Sequence, residues 1–145
     1  MSVPDLAPLG PARCRALLAS VPLGRLGFVR DGRPAIRPVN FTVASDAIWL
    51  RAGRNSWADR LDGQPVTFEA DAYDPAGHTG WSVIVTGVAH VVRDPEQVRR
   101  YEALIDPWVN LLRDHVIRIE TEVVTGLELI GENDESDADL DERAL

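Results

Sequence analysis

The chain of 145 residues has no lysine, so all 15 of its basic side chains are arginines. Arginine must therefore fill every ordinary surface role as well as any special one, and a lone Arg carries little information. Cysteine is almost as scarce: Cys14 is the single thiol. No internal disulfide can form, and a cytoplasmic location is expected. The opening stretch MSVPDLAPLG lacks the basic segment and apolar run of a signal peptide, and no apolar run reaches the length of a membrane span. The histidines His78, His90 and His115 and the one cysteine have no paired spacing of the kind zinc or haem attachment requires, so no metal ligands are assigned. There is no GxSxG elbow, no Walker loop and no spaced-glycine dinucleotide fingerprint. Acidic residues are plentiful, but none forms an evident catalytic pair. The usual equipment of hydrolysis and metal chemistry is missing. Redox chemistry survives these absences, because there the cofactor carries the electrons and the protein binds and orients it.

What is present suits one globular domain with one core. Hydrophobic residues make up 45% of the chain, and the formal net charge is −8. The charge is unevenly placed. Residues 131–145 (GENDESDADLDERAL) hold seven acids and one Arg, a net of −6, which leaves −2 for the other 130. The expected organisation is a folded domain over 1–130 and an acidic, disordered tail over 131–145, too poor in apolar groups to offset the entropy of ordering. Duplex nucleic acid is excluded as a partner, since its phosphates would meet a net-acidic protein.

Hydrophobic periodicity places the elements. Cys14, Leu17, Leu18 and Val21 follow helical spacing, which predicts a helix over Pro11–Val21 with Cys14 in the core. A strand over Leu23–Arg30 leads through the hairpin signal Asp31-Gly32 into a second strand beginning at Arg33. Ala35, Val39, Phe41 and Val43 share one parity of that strand. Pro38 cannot donate to a ladder, so it marks an edge, a bulge or a place where pairing gives way. After a Ser45-Asp46 turn, Ile48 and Leu50 alternate with Trp49 and Arg51, and Trp49 is expected to cover the outer sheet surface. A short helix over 56–62 stops at Gly63. Val66, Phe68 and Ala70 define a half-buried strand, and Asp74–Gly80 reads as a loop holding His78. Trp81–Val92 is apolar on both faces around Val83-Ile84-Val85, a central strand in which Gly87 marks a bulge or bend. Asp94-Pro95-Glu96-Gln97 opens a helix packed through Val98, Tyr101, Leu104 and Ile105. A final pair of strands, His115–Glu120 and Val123–Ile130, closes the fold.

One stretch stands apart from this scaffold. Arg51, Gly53, Arg54 and Ser56 fall within six residues at the end of a strand and the start of a helix. Guanidinium forks, a hydroxyl and open backbone suit a phosphate. A solvated Arg cluster beside a helix cap reads the same residues equally well.

The succession GRLGFVRDGRPAIRPVNF, IWLRAGRNS, GWSVIVTGVAHVV and DHVIRIETEVVTG resembles the pyridoxamine 5′-phosphate oxidase-like family of flavin-binding split β-barrels, above all its short bacterial members related to nitroimidazole-resistance reductases. The resemblance covers about residues 10 to 130. It implies a six-stranded antiparallel Greek-key split barrel with short flanking helices, assembled as a homodimer with FMN at the subunit interface. It further implies that Arg51, Gly53, Arg54 and Ser56 hold the phosphate, that Pro38, Val39 and Asn40 lie along the flavin ring, and that Trp81 and Ser82 close the pocket. Trp108 and Arg113 fall in the region from which relatives reach the partner's site. The activity implied is an oxidoreductase passing a hydride or electron pair to a small-molecule acceptor; no side chain is assigned as acid or base. Two positions depart from the family's usual pattern, Ala52 where Thr is common and Trp57 where Lys is. They keep other readings open: a deazaflavin F420 reductase served by Arg33, Arg37 and Arg54, a haem protein with His78 or His115 as axial ligand, or a non-catalytic binding module without cofactor.

Overall fold

The computed structural model describes residues 5–53, 57–108 and 114–131. Seven strands and two helices follow in the order β1 (Asp5–Pro8), α1 (Pro11–Leu18), β2 (Leu23–Arg30), β3 (Arg33–Ala44), β4 (Ala47–Gly53), β5 (Pro65–Asp74), β6 (Thr79–Val91), α2 (Pro95–Leu104) and β7 (Asp114–Ile130). Two-residue turns join β2 to β3 and β3 to β4. Asp31 and Gly32 have φ of 52° and 77°, and Ser45 and Asp46 have φ of 51° and 57°. Both pairs are left-handed at each central position, the type I′ geometry whose twist matches the flanking strands.

All pairings are antiparallel, in the order β1-β7-β4-β3-β2-β5-β6, and β6 also pairs with β7. That last pairing closes β2 through β7 into a ring of six, the expected split barrel. β1 is a seventh strand outside the ring, four residues long, held on the end of β7 from Asp5 opposite Ile130 to Pro8 opposite Leu127. A four-residue segment with proline at its end and no alternation offers no strand signal. The expected final pair of strands is instead one strand of 17 residues, because Thr121 and Glu122 supply no glycine or proline to turn the chain. The break falls on its neighbour. Thr86 pairs with Val123 but Gly87 with Thr121, so Glu122 is an extra residue in the ladder. The β7 backbone presses so closely here that a Cβ on Gly87 would lie 1.9 Å from the Glu120 carbonyl oxygen.

Strand alternation sends Leu26, Phe41, Leu50, Phe68, Val83, Val85, Ile117 and Ile119 into the ring. Phe41 and Phe68 meet edge to face with centroids 4.7 Å apart. Burying a side chain of this size contributes about 2–3 kcal/mol. α1 adds Cys14, Leu17 and Leu18 to the same core, resting on β7 where Gly126 leaves room; a Cβ there would fall 2.5 Å from the Cys14 sulfur. Burial pushes the Cys14 thiol up, as fits a packing residue rather than a nucleophile.

α2 builds a second, smaller core on the outside of β4 and β7 from Ala47, Trp49, Tyr101, Ile105 and Val116. Trp49 lies face to face with Tyr101 at 3.8 Å and donates its indole N–H to the Ala44 carbonyl. Leu104, expected on the packed face, is exposed, because the stripe runs through Tyr101 and Ile105. Among the described residues no helix covers the rest of the outer face, where Ile36, Ile84, Val123 and Leu127 are exposed.

Candidate functional site

The ladder between β3 and β4 runs from Ala44 opposite Ala47 to Phe41 opposite Leu50, and there it ends. Beyond that point, among the described strands, Val39 and Pro38 pair with Gly24 and Arg25 of β2, while Arg51, Ala52 and Gly53 pair with Val116, His115 and Asp114 of β7. The two strands part, and their divergence makes a wedge with Pro38–Asn40 on one wall and Arg51–Gly53 on the other. Proline stands in the singly paired stretch, where a missing N–H costs the sheet least. Val39 faces the core, Pro38 faces solvent, and Asn40 points outward yet is buried beneath the chain that follows α2. Its side-chain amide donates to the Pro22 carbonyl at 3.1 Å and accepts the Trp108 backbone N–H at 2.8 Å. Asn40 is thus satisfied on both sides and fixed in orientation.

Arg51 is equally committed. Its Nε donates to Asp114, and its Nη1 donates to the carbonyls of Glu102 and Ile105 at 3.1 and 3.0 Å. The Arg51 and Asp114 side chains are 14% and 11% exposed, so the pair is largely withdrawn from water. Arg51 therefore ties the end of α2 to the wedge and neutralises the partial negative charge of the helix's last carbonyls. Gly53 ends β4 beside it. Arg54 and Ser56 lie outside the described residues.

The expected helix over 56–62 is a single 3-10 turn, Trp57–Arg60, cut short by Gly63 at φ 78°. It plugs the mouth of the ring with Ala58 and, just beyond, Leu61, both buried. Asp59 on this turn is hydrogen-bonded to His115 Nε2, and Asp62 accepts the Val91 backbone N–H at 2.8 Å. His115, expected on a shared face with Ile117 and Ile119, has its Nε2 bonded to a carboxylate, so a haem approaching that nitrogen would have to displace Asp59.

Trp81 and Ser82 are not brought to the wedge. They sit on β6 opposite Ala72 and Asp71 of β5 and Glu128 and Leu127 of β7. Along β7 their partners are 14 and 13 residues from Asp114, and across the sheet β2 and β5 lie between them and Pro38. Trp81 packs on the core, and strand alternation turns Ser82 to the outer face. Between Pro38 and Ser82 on that face lies a charged cluster with no sequence signature: Arg25 Nη1 is 3.4 Å from both Glu69 and Asp71. One cation serves two carboxylates. Burial, then the hydrogen bond and charge of Asp71, raise the Glu69 carboxyl from 4.5 to about 7, against the pull of Arg25. Among the described residues no group of three or more His, Cys, Asp or Glu is placed to hold a metal, and no helix is long and apolar enough to cross a membrane.

Comparison with known proteins gives three kinds of match. The profile of the family named pyridoxamine 5′-phosphate oxidase matches residues 11–128. The uncharacterized protein Rv0080 of Mycobacterium tuberculosis is 47% identical over 123 residues, 81% of each chain. The FAD binding protein from Mycobacterium smegmatis superposes with a TM-score of 0.71 at 31% identity, over 84% of this chain and 98% of that one. The protein of unknown function DIP1874 from Corynebacterium diphtheriae gives 0.72 at 30% identity, over 86% and 98%.

Proposed function

The chain belongs to the pyridoxamine 5′-phosphate oxidase family, and from that premise we propose that it is a flavin-dependent oxidoreductase holding FMN, or the FMN half of a larger flavin, in the wedge between β3 and β4. The observation that carries the reading is the parting of the two strands beyond Phe41 and Leu50. It puts the backbone of Pro38–Asn40, suited to a planar ring, across from the strand end at Gly53, suited to a phosphate. The likeness to an FAD binding protein at 31% identity supports a flavin.

In this reading the bound flavin supplies transfer of a hydride or electron pair. The chain supplies binding and orientation. Asn40, bonded on both sides, keeps the ring wall rigid. Arg51 fixes the strand end beside the phosphate through its hydrogen bonds to Asp114 and α2, its charge offset by that carboxylate. Direct phosphate contacts fall to the backbone at Gly53 and to Arg54 and Ser56. The acceptor is a small molecule, and the protein acts as a two-fold dimer with a pair of equivalent sites. The exposed Ile36, Ile84, Val123 and Leu127 of the uncovered face support a dimer. Across that interface Trp81, Ser82 and the exposed Trp108 are the groups available to the partner's wedge.

The test is an absorbance spectrum of freshly purified protein, repeated after adding FMN and desalting, with light scattering for mass. A retained flavin spectrum on a two-chain species, weakened about tenfold in Arg54→Ala without loss of melting temperature, is the expected result. A colourless protein that refuses added flavin overturns the reading.

A further inference from the structure

Across β3, β2, β5, β6 and β7 the outward side chains line up in rows. Pro38 stands opposite Arg25, Arg25 opposite Glu69, Glu69 opposite Ile84 and Ile84 opposite Thr125. The next row towards the β2–β3 turn runs through Ile36, Gly27, Thr67, Thr86 and Val123. Its middle members are small, and Gly27, Thr67 and Thr86 floor a hollow of about 480 Å³ with Val29, Ile36 and Glu122 at its rim. Beside the hollow stands an exposed apolar ridge, Ile84 on β6 and Leu127 on β7. A face with a ridge next to a hollow can receive a copy of itself about a two-fold axis, ridge into hollow. Five strands make it about 24 Å wide, and about eight residues of β5 make it about 26 Å long. Once side-chain relief is counted, that footprint is near the roughly 800 Å² per partner of a stable interface.

Charge at the middle of this face is unbalanced. Arg25 Nη1 lies 3.4 Å from both Glu69 and Asp71, and the side chains of Arg25, Glu69 and Asp71 are 46%, 28% and 23% exposed. Among the described residues the other strands around Glu69 bring it no further cation. β6 offers Ile84 and Ser82, β3 offers Pro38, and the Arg37 guanidinium donates to the Ile36 carbonyl. The next charged group on the face is another acid, Glu122 at the rim of the hollow. Each copy thus sets one cation against two carboxylates. Water screens the surplus negative charge in a single chain. Docking removes that water, and an unmatched charge taken out of water is costly. A proton on one carboxylate cancels the surplus. Glu69 is the group set to take it: burial, then the hydrogen bond and charge of Asp71, push it up to about 7 in the single chain, and further burial acts in the same direction.

Resting on the two-fold dimer reading, we infer that this outer face docks on the same face of a second copy, and that the copies join with Glu69 protonated, taking up one proton per chain from solvent. The dimer is then tight in mildly acidic solution and loosens as pH rises. Where Glu69 is ionised in the free chain and neutral in the docked one, two protons per dimer weaken association by up to about a hundredfold per pH unit. Arg25 and Asp71 remain as a neutral pair in the covered centre.

The experiment is sedimentation of the full-length protein over a dilution series at pH 6, 7 and 8.5. The dimer dissociation constant should rise at least tenfold from pH 6 to 8.5. In Glu69→Gln it should change less than threefold, and at pH 8.5 that variant should be the tighter dimer. Ile84→Asp, at an exposed position whose folding circular dichroism checks, should be monomeric at every pH. A wild-type dimer equally tight at pH 6 and 8.5, or the same pH dependence in Glu69→Gln, overturns the proton. A persistent dimer in Ile84→Asp overturns the face. Either result leaves the two-fold dimer itself standing, whereas a wild-type monomer at all three pH values overturns the dimer reading as well.

Discussion

Arg51 and Asp114 form a nearly dry ion pair across the β4–β7 ladder, and the same guanidinium holds the last carbonyls of α2. A residue that chain position alone marks as a phosphate ligand is therefore also a structural clasp. Removing Asp114 leaves the withdrawn Arg51 charge without that carboxylate, and breaking such a pair costs about 3–5 kcal/mol. Arg51→Ala should accordingly lower unfolding free energy in urea by about 3 kcal/mol, and Asp114→Ala by a similar amount. The double variant should lose much less than the sum. Additive losses would mean the two side chains do not act as a pair. Any loss of flavin in Arg51→Ala must be judged against this loss of stability.

Asn40 offers a cleaner separation of roles. Asn40→Ala strands the Trp108 N–H, at about 1–3 kcal/mol, while the Pro22 carbonyl keeps the Phe41 N–H at 3.2 Å. Asn40→Asp keeps an acceptor for Trp108 but sets a carboxylate against the Pro22 oxygen. Hydrogen exchange at the Trp108 amide should quicken in the alanine variant and stay slow in the aspartate variant. Slow exchange in both would show that Asn40 does not anchor this segment.

Gly87 and Gly27 both lie in strands, and they should answer differently to a methyl group. Gly87→Ala drives a Cβ into the Glu120 carbonyl, whereas at Gly27 the nearest atom, Thr67 O, is 3.5 Å from the added carbon. The expected cost is about 3 kcal/mol for Gly87→Ala and below about 1 kcal/mol for Gly27→Ala. Thermal unfolding of the two variants side by side checks this. Equal melting temperatures would count against the tight bulge.

Glu69 predicts a pH dependence of unusual sign for a carboxylate near an arginine. Its folded-state value of about 7 lies above the ordinary 4.5, so the folded protein holds this proton more tightly than the unfolded chain does. The stabilisation is complete below about pH 4.5 and fades as pH rises towards 7. Because the site is partly open to solvent, the loss should be about 1 kcal/mol rather than the full value of the shift. Glu69→Gln should remove that decline and be the more stable protein at pH 8. A wild-type melting temperature that climbs steadily from pH 5 to 7.5, with no difference in the variant, would rule it out.

Local chemistry made most of the scaffold legible. Asp31-Gly32, the Val66/Phe68/Ala70 alternation and the Cys14/Leu17/Leu18 spacing each encode their element in a few adjacent residues, and each element formed. Pro38 announced the place where β3 loses a neighbour. The contacts that define the candidate site were hidden for the opposite reason. Arg51 with Asp114 and Arg25 with Glu69 and Asp71 are joined by strand register, and Asp59 with His115 by the packing of the 3-10 turn on β7, in every case between residues more than forty positions apart. No periodicity reports such pairs. The unbroken β7 was misread because Thr121 and Glu122 interrupt an apolar pattern without interrupting a backbone; the polar pair marks an extra residue in the ladder rather than a turn.

That long last strand has a bearing on how the protein is made. β2, β3 and β4 can pair through two-residue turns as soon as they are synthesised, and β5 with β6 through a short one. β4 and β6 then each present a bare edge until β7 emerges, since Ala47 must find Glu120 and Val91 must find Ile117. Such edges recruit strands from other molecules. A nascent chain stalled before residue 114 would hold two of them at once. The interval before β7 leaves the ribosome is thus when this barrel is most in need of a chaperone, and a slow codon placed there would cost more yield than one placed earlier.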